Sequence, residues 1–161
     1  MMLLNSSNKL KILHTIGRCQ PICRGELSRL TGLPSPTITN IVSELINNRL
    51  VAEAGYQVST GGRKPALLEL VPDTKYLLGV ELNAQRLSIL LLDLKADIRH
   101  KHVESVAPGV SQEDLQARLL EGIDQCLQEK SDLRGNIAGI GMGISGLVDS
   151  ALGVSLRFPG I

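Results

Sequence analysis

Apolar residues at the front of the chain recur with helical spacing. Residues 8–17 and 24–31 carry apolar side chains three or four positions apart, which predicts two amphipathic helices. Gly17 is expected to end the first of them. A third helix is predicted from Ser35 to about Asn48, because its apolar residues share one face when residues follow each other at about 100°. The front of the chain is therefore predicted to be a bundle of three short helices.

A β-hairpin is predicted directly after these helices. Apolar segments at 51–58 and 66–71 flank the turn sequence Ser59-Thr60-Gly61-Gly62-Arg63-Lys64-Pro65. The two glycines allow a tight turn, and the two cations place positive charge at its tip. Three helices followed by a basic hairpin predict a winged helix-turn-helix, whose expected partner is double-stranded DNA.

The third helix is predicted to present a polar face with little charge. Ser35 is expected to cap its first turn, and Pro36 suits the first helical position. Short hydroxyl and amide side chains suit contacts with base edges in the major groove. For this face alone, an ordinary solvent-exposed surface is an equally good interpretation. The candidate DNA-binding residues of the helix are Ser35, Thr37, Thr39, Asn40 and Ser43.

The predicted wing supplies a second group of candidate DNA-binding residues. Arg63 suits the minor groove, because narrow A/T-rich tracts attract guanidinium groups. Lys64 suits a phosphate contact. The alternative is a solvated, charged hairpin tip. The candidate residues of the wing are Gly61, Gly62, Arg63 and Lys64.

The pattern after Pro72 changes to apolar runs that are typical of buried strands. The predicted elements are strands at 76–82, 87–94 and 98–106, a helix that begins at Ser111, and a glycine-rich strand at 136–144. This order is that of a ribonuclease-H-like lobe, the unit from which actin-like ATPases and sugar kinases are built. The expected class is α+β, with a winged helix-turn-helix in residues 1–72 and this lobe in residues 73–161.

Composition and charge narrow the function further. Only 2% of the 161 residues are aromatic, so stacking on unpaired bases is largely unavailable and duplex DNA is favoured. Residues 1–75 carry nine Lys or Arg and five Asp or Glu, whereas residues 76–161 carry eight and eleven. Residues 1–75 therefore have a net charge of +4 and residues 76–161 one of −3. This difference indicates a nucleic-acid module joined to a different domain.

Several other kinds of site are not expected. The three cysteines have no metal-binding or disulfide spacing and are predicted to be free thiols. No metal or cofactor is predicted. No segment approaches the ~20 apolar residues that span a bilayer, so a cytoplasmic protein without a membrane partner is expected. Residues 141–146 satisfy G-x-G-x-x-G, but a dinucleotide site is rejected because residues 147–153 predict a strand and turn rather than a helix.

Four segments carry a resemblance to a known family: Glu44–Val51, Gly61–Pro65, Leu78–Ala84 and Gly139–Asp149. Through them the chain resembles the ROK family of sugar-responsive repressors and sugar kinases. The resemblance implies a regulator, commonly a repressor, of carbohydrate genes that binds operator DNA as a homo-oligomer and responds to a sugar or sugar phosphate. It also implies that the loop after the 136–144 strand borders the sugar pocket, which makes Ser145 and Gly146 effector candidates.

The chain departs from the kinases of that family at the phosphate-binding turn. The kinases carry an Asp and a Gly-rich turn that ends in Thr, whereas the matching positions here are Glu81, Asn83, Ala84 and Gln85. An enzyme is therefore not expected. Because the kinases' catalytic Asp and zinc motif would lie beyond Ile161, the lobe is expected to be incomplete. The alternatives are a sugar kinase, or a truncated regulator that binds DNA without sensing sugar.

Overall fold

The computed structural model describes residues 7–58, 64–128 and 136–158. The chain divides into two compact units, of which the first ends at Thr74 and the second begins at Lys75. Each unit has buried apolar side chains of its own. None of the described helices is long and apolar enough to cross a bilayer.

The first unit consists of three helices and a three-stranded antiparallel sheet. Its elements are α1 (Ser7–Cys19), β1 (Ile22–Cys23), α2 (Arg24–Thr31), α3 (Ser35–Asn47), β2 (Val51–Tyr56) and β3 (Ala66–Leu70). The strands lie in the order β1-β3-β2. The predicted three helices followed by a hairpin are confirmed. The sequence did not reveal β1, because two residues are too few for an apolar period to register.

One apolar core holds the first unit together. Most of the apolar residues that predicted the helices face this core, because helical spacing places them on one side of each helix. Leu30 was expected to be buried with Leu27, but it is about half exposed, as is Leu10. Strand β3 closes the core from the sheet side. The buried core residues include Ile12 and Ile16 of α1, Leu27 of α2, Ile38, Val42 and Leu45 of α3, Val51 of β2, and Leu68 and Leu70 of β3.

Gly17 does not end α1, which continues to Cys19. A Cβ on Gly17 would lie 3.2 Å from the Leu70 side chain. The glycine therefore allows α1 to pack closely against β3, at a cost of roughly 1 kcal/mol in helix propensity. The prediction that it stops the helix was wrong, because a packing requirement and a stop signal look alike in the sequence.

The predicted cap of α3 is also displaced by one residue. Pro34 occupies the N-cap position, and Ser35 is already the first helical residue. No side chain caps this helix. The carbonyl of Ser35 instead accepts a hydrogen bond from Thr39 Oγ1 at 2.9 Å. The helix begins where predicted, but Ser35 does not cap it.

The second unit is a four-stranded mixed sheet with a helix on one face. Its main elements are β4 (Tyr76–Leu82), β5 (Arg86–Asp93), β6 (Ile98–Ser105), α4 (Gln112–Gln128) and β7 (Ile137–Ile144). The strand order is β6-β5-β4-β7, in which β7 runs parallel to β4 and the other neighbours are antiparallel. Alternate residues of β4 and β5 are buried with Leu115 and Cys126 of α4. The predicted order of strands and helix, and with it the α+β class, is confirmed.

A small hairpin follows the sheet. Strands β8 (Leu147–Asp149) and β9 (Val154–Arg157) pair antiparallel. A strand, and not a helix, thus follows the G-x-G-x-x-G sequence at 141–146, as predicted. At α4, Ser111 Oγ accepts a hydrogen bond from the backbone N–H of Asp114 at 3.1 Å, which confirms the predicted cap of that helix.

Candidate nucleic-acid interface

Helix α3 separates its apolar and polar residues onto two sides. Ile38, Val42 and Leu45 are buried in the core of the first unit. The predicted contact residues Ser35, Thr39, Asn40 and Ser43 are exposed, and Thr37 is half-buried at the flank. The opposite side of α3 therefore presents short hydroxyl and amide groups. Groups of this size can approach the edges of base pairs.

The wing hairpin extends beyond the ends of its two strands. Tyr56 pairs with Ala66, and one step further the N–H of Gln57 donates to the carbonyl of Pro65 at 2.9 Å. Lys64, directly before Pro65, is exposed. The other predicted wing residues, Gly61, Gly62 and Arg63, lie outside the described residues. Of the four predicted wing residues, Lys64 is thus the one that the described residues include, and it lies next to the last backbone hydrogen bond between β2 and β3.

An ion pair joins the wing to the helices. Arg24 Nη1, on the first residue of α2, lies 3.0 Å from Glu53 Oε1 on β2. Both side chains are partly exposed, so the pair contributes about 0–1 kcal/mol. The pair connects the root of the wing to the first turn of α2. Sequence reasoning missed this contact, since the two residues are 29 positions apart.

Strand β2 has an irregularity that the sequence analysis also missed. Its pairing with β3 shifts register between Glu53 and Tyr56, where Gly55 lies. A glycine inside an otherwise regular strand pattern is a signal for such a bulge. Bulges increase the local twist of a strand, so this one helps to set the direction in which the wing leaves the sheet.

The effector candidates lie between β7 and β8. The backbone N–H of Ser145 donates to the carbonyl of Leu82 at 2.9 Å, and both Ser145 and Gly146 are exposed. A cavity of about 710 Å³ lies nearby, between the first half of α4, the ends of β4 and β7, and residues 153–158. Among the described residues that line this cavity are Ile144 and Phe158, but neither Ser145 nor Gly146. The structure therefore does not bring these two candidates into the cavity.

The turn at the position of the kinase phosphate loop is closed by its own side chain. Asn83 Oδ1 accepts hydrogen bonds from the backbone N–H groups of Gln85 and Arg86, at 3.0 and 2.9 Å. The N–H of Asn83 itself donates to the carbonyl of Arg86. A phosphate-binding loop needs such N–H groups to point at the ligand. In this turn, three of them are already engaged within the chain.

Within residues 7–58, 64–128 and 136–158, no three His, Cys, Asp or Glu side chains are placed to hold a metal ion together. Cys19, Cys23 and Cys126, which all lie within the described ranges, form no disulfide there.

Comparison with known proteins adds an independent result. The family model described as winged helix-turn-helix DNA-binding matches residues 6–52. The xylose repressor of Caldicellulosiruptor bescii is 30% identical over 159 residues, which cover 99% of this chain and 40% of the repressor. The DNA-binding transcriptional dual regulator NagC of Escherichia coli K12 is 27% identical over 161 residues, covering 99% of this chain and 39% of NagC.

A solved structure resembles the fold over nearly the same extent. It is that of a ROK family transcriptional regulator described as a homologue of the E. coli MLC protein. The TM-score is 0.70 at 27% identity, and the match covers 95% of this chain and 39% of that one. The chain spans about 40% of the length of the curated relatives it matches.

Proposed function

Because the chain belongs to the ROK family of transcriptional regulators, we propose that it binds operator DNA and represses genes of carbohydrate metabolism. The observation that carries the proposal is the exposed polar side of α3, formed by residues such as Asn40 and Ser43. A recognition helix lies in the major groove and reads base edges with short polar side chains. Such a regulator works in the cytoplasm, where its operator is.

The wing completes the proposed contact surface. Lys64 is exposed at the end of the hairpin ladder, where a cation suits a phosphate. The neighbouring Arg63 is proposed for the minor groove, together with Gly61 and Gly62 in the same turn. A homodimer on a palindromic operator suits this arrangement, because one winged helix buries little DNA surface and half-site spacing adds specificity.

A sugar or sugar phosphate is the proposed effector. The name of the xylose repressor points to xylose as the first compound to test, and that of a further relative, the N-acetylglucosamine repressor of Escherichia coli O6:H1, points to N-acetylglucosamine. Ser145 is exposed at the end of β7 and remains a proposed effector contact. Phosphorylation of the sugar by ATP is not part of the proposal. The Asn83 side chain engages the backbone N–H groups of its turn, and these groups would otherwise bind phosphate.

Selection from a double-stranded library, followed by one pair of variants, tests the proposed function. The chain should retain a specific duplex, and Asn40→Ala should weaken binding to it by about 1–3 kcal/mol, because the amide that reads a base edge is lost. The control is Gln125→Ala, which removes an exposed amide from α4 in the other unit. Titration of a labelled duplex measures both. Equal affinity of the two variants would exclude the Asn40 side chain from the interface.

A further inference from the structure

Helix α3 carries a single charged side chain, and its sign is unfavourable for DNA. Of its thirteen residues, only Glu44 is ionisable, and its side chain is 42% exposed. Glu44 follows Asn40 by four positions, so the two side chains are neighbours on the helix surface. A carboxylate beside a proposed base-reading residue would repel the phosphates of a bound duplex.

The structure supplies a partner for this carboxylate from another helix. Lys9 of α1 donates a hydrogen bond from Nζ to Glu44 Oε1. Its side chain is only 19% exposed, less than half as exposed as that of Glu44. Lys9 is thus turned toward α3, where its charge cancels that of the carboxylate. The same bond joins the first turns of α1 to the second half of α3.

We propose that Lys9 is a positioning residue for DNA binding. It neutralises Glu44 and so reduces the repulsion between the surface of α3 and the phosphates of bound DNA. The inference rests on the proposed function. Lys9 acts through Glu44 and not by touching DNA itself. Removing the positive charge leaves an unpaired carboxylate at the interface, whereas removing both charges does not.

A double-mutant cycle in the full chain tests this inference. Lys9→Met should weaken binding to the selected duplex about three- to tenfold at low salt, and less at high salt, because the exposed carboxylate is screened. Glu44→Gln should bind the duplex at least as tightly as the wild type. The double variant should bind like Glu44→Gln, because the charge that Lys9 neutralises is then absent.

Lys11→Met is the matched control. Lys11 lies on the same helix and carries the same charge, but its Nζ donates to the carbonyl of Thr31 at 2.6 Å. Any effect of Lys11→Met on affinity should therefore be the same with Glu44 and with Gln at position 44. Urea unfolding of every variant separates a loss of affinity from a loss of folded protein.

Three results would overturn the inference while the wild type still binds its duplex. Weaker binding of Lys9→Met by the same factor with Glu44 and with Gln at position 44 would make Lys9 a direct phosphate contact. Wild-type affinity in folded Lys9→Met would mean that the ion pair does not act on DNA binding. Weaker binding by Glu44→Gln alone would show that the carboxylate itself is needed, and this test stands even if Lys9→Met fails to fold. A wild-type chain that retains no duplex would instead overturn the proposed function, and this inference with it.

Discussion

At the scale of single residues, the backbone around Gly146 explains why this position is a glycine. Its φ is +124°, a conformation that residues with a side chain rarely adopt. A Cβ added there would lie 1.9 Å from the carbonyl oxygen of Arg157, at the end of β9. The close approach of two backbone segments therefore explains the glycine at position 146 without any ligand. Of the two effector candidates, Ser145 is thus the better supported.

Replacing Gly146 by Ala is expected to destabilise the second unit by about 2–4 kcal/mol, from backbone strain together with the clash. Gly141→Ala is the control, because a Cβ at Gly141 in β7 meets no atom within 4 Å. Its effect should stay below about 1 kcal/mol. Urea unfolding of the full chain measures both. Similar stability of the two variants would contradict the close approach at Arg157.

At the scale of elements, a buried carboxylate shapes the turn between β5 and β6. Asp93 is fully buried. Its Oδ1 accepts hydrogen bonds from the backbone N–H groups of Lys95 and Asp97, at 2.8 and 3.0 Å. Its Oδ2 lies 2.9 Å from Arg99 Nε and 2.6 Å from Arg99 Nη2. The charge is thus matched by a guanidinium and two amides, which is what a buried carboxylate requires.

Asp93→Asn is expected to destabilise the second unit by about 2–4 kcal/mol, because Arg99 loses its anionic partner and the new NH₂ group faces either the guanidinium or the two backbone N–H donors. Asp97→Asn, in the same turn but exposed, is the control and should change stability by less than about 0.5 kcal/mol. Thermal and urea unfolding measure the difference. An equal loss in the two variants would show that the turn does not depend on the buried carboxylate.

Elements with a sustained apolar period were predictable, whereas contacts between distant residues were not. The period of α3 located its buried residues and correctly placed Asn40 and Ser43 on the exposed side. A period shows that a side chain is buried but does not identify what covers it. For that reason the close packing at Gly17 was mistaken for a helix end. The pair of Lys9 and Glu44, 35 positions apart, could not be foreseen at all.

At the scale of the whole molecule, charge and structure divide the chain at nearly the same place. Residues 1–75 carry a net charge of +4 and the remainder −3, and the first compact unit ends at Thr74. A positive unit attracts duplex DNA, and a negative one opposes it by long-range repulsion that salt screens. The division predicts that DNA binding belongs to the first unit and sugar sensing to the second.

A fragment of residues 1–74 should therefore fold alone and bind the selected duplex. Its last segment is tied to its own unit, since the N–H of Val71 donates to the carbonyl of Leu50 at 3.0 Å and Thr74 Oγ1 donates to that of Arg49 at 2.6 Å. The fragment should unfold cooperatively in urea and lose DNA as salt rises.

Xylose or N-acetylglucosamine should change the affinity of a sugar-responsive full chain but not that of the fragment, because linkage requires both sites in one molecule. A fragment that unfolds without a cooperative transition, or that responds to the sugar, would show that the two functions are not divided in this way.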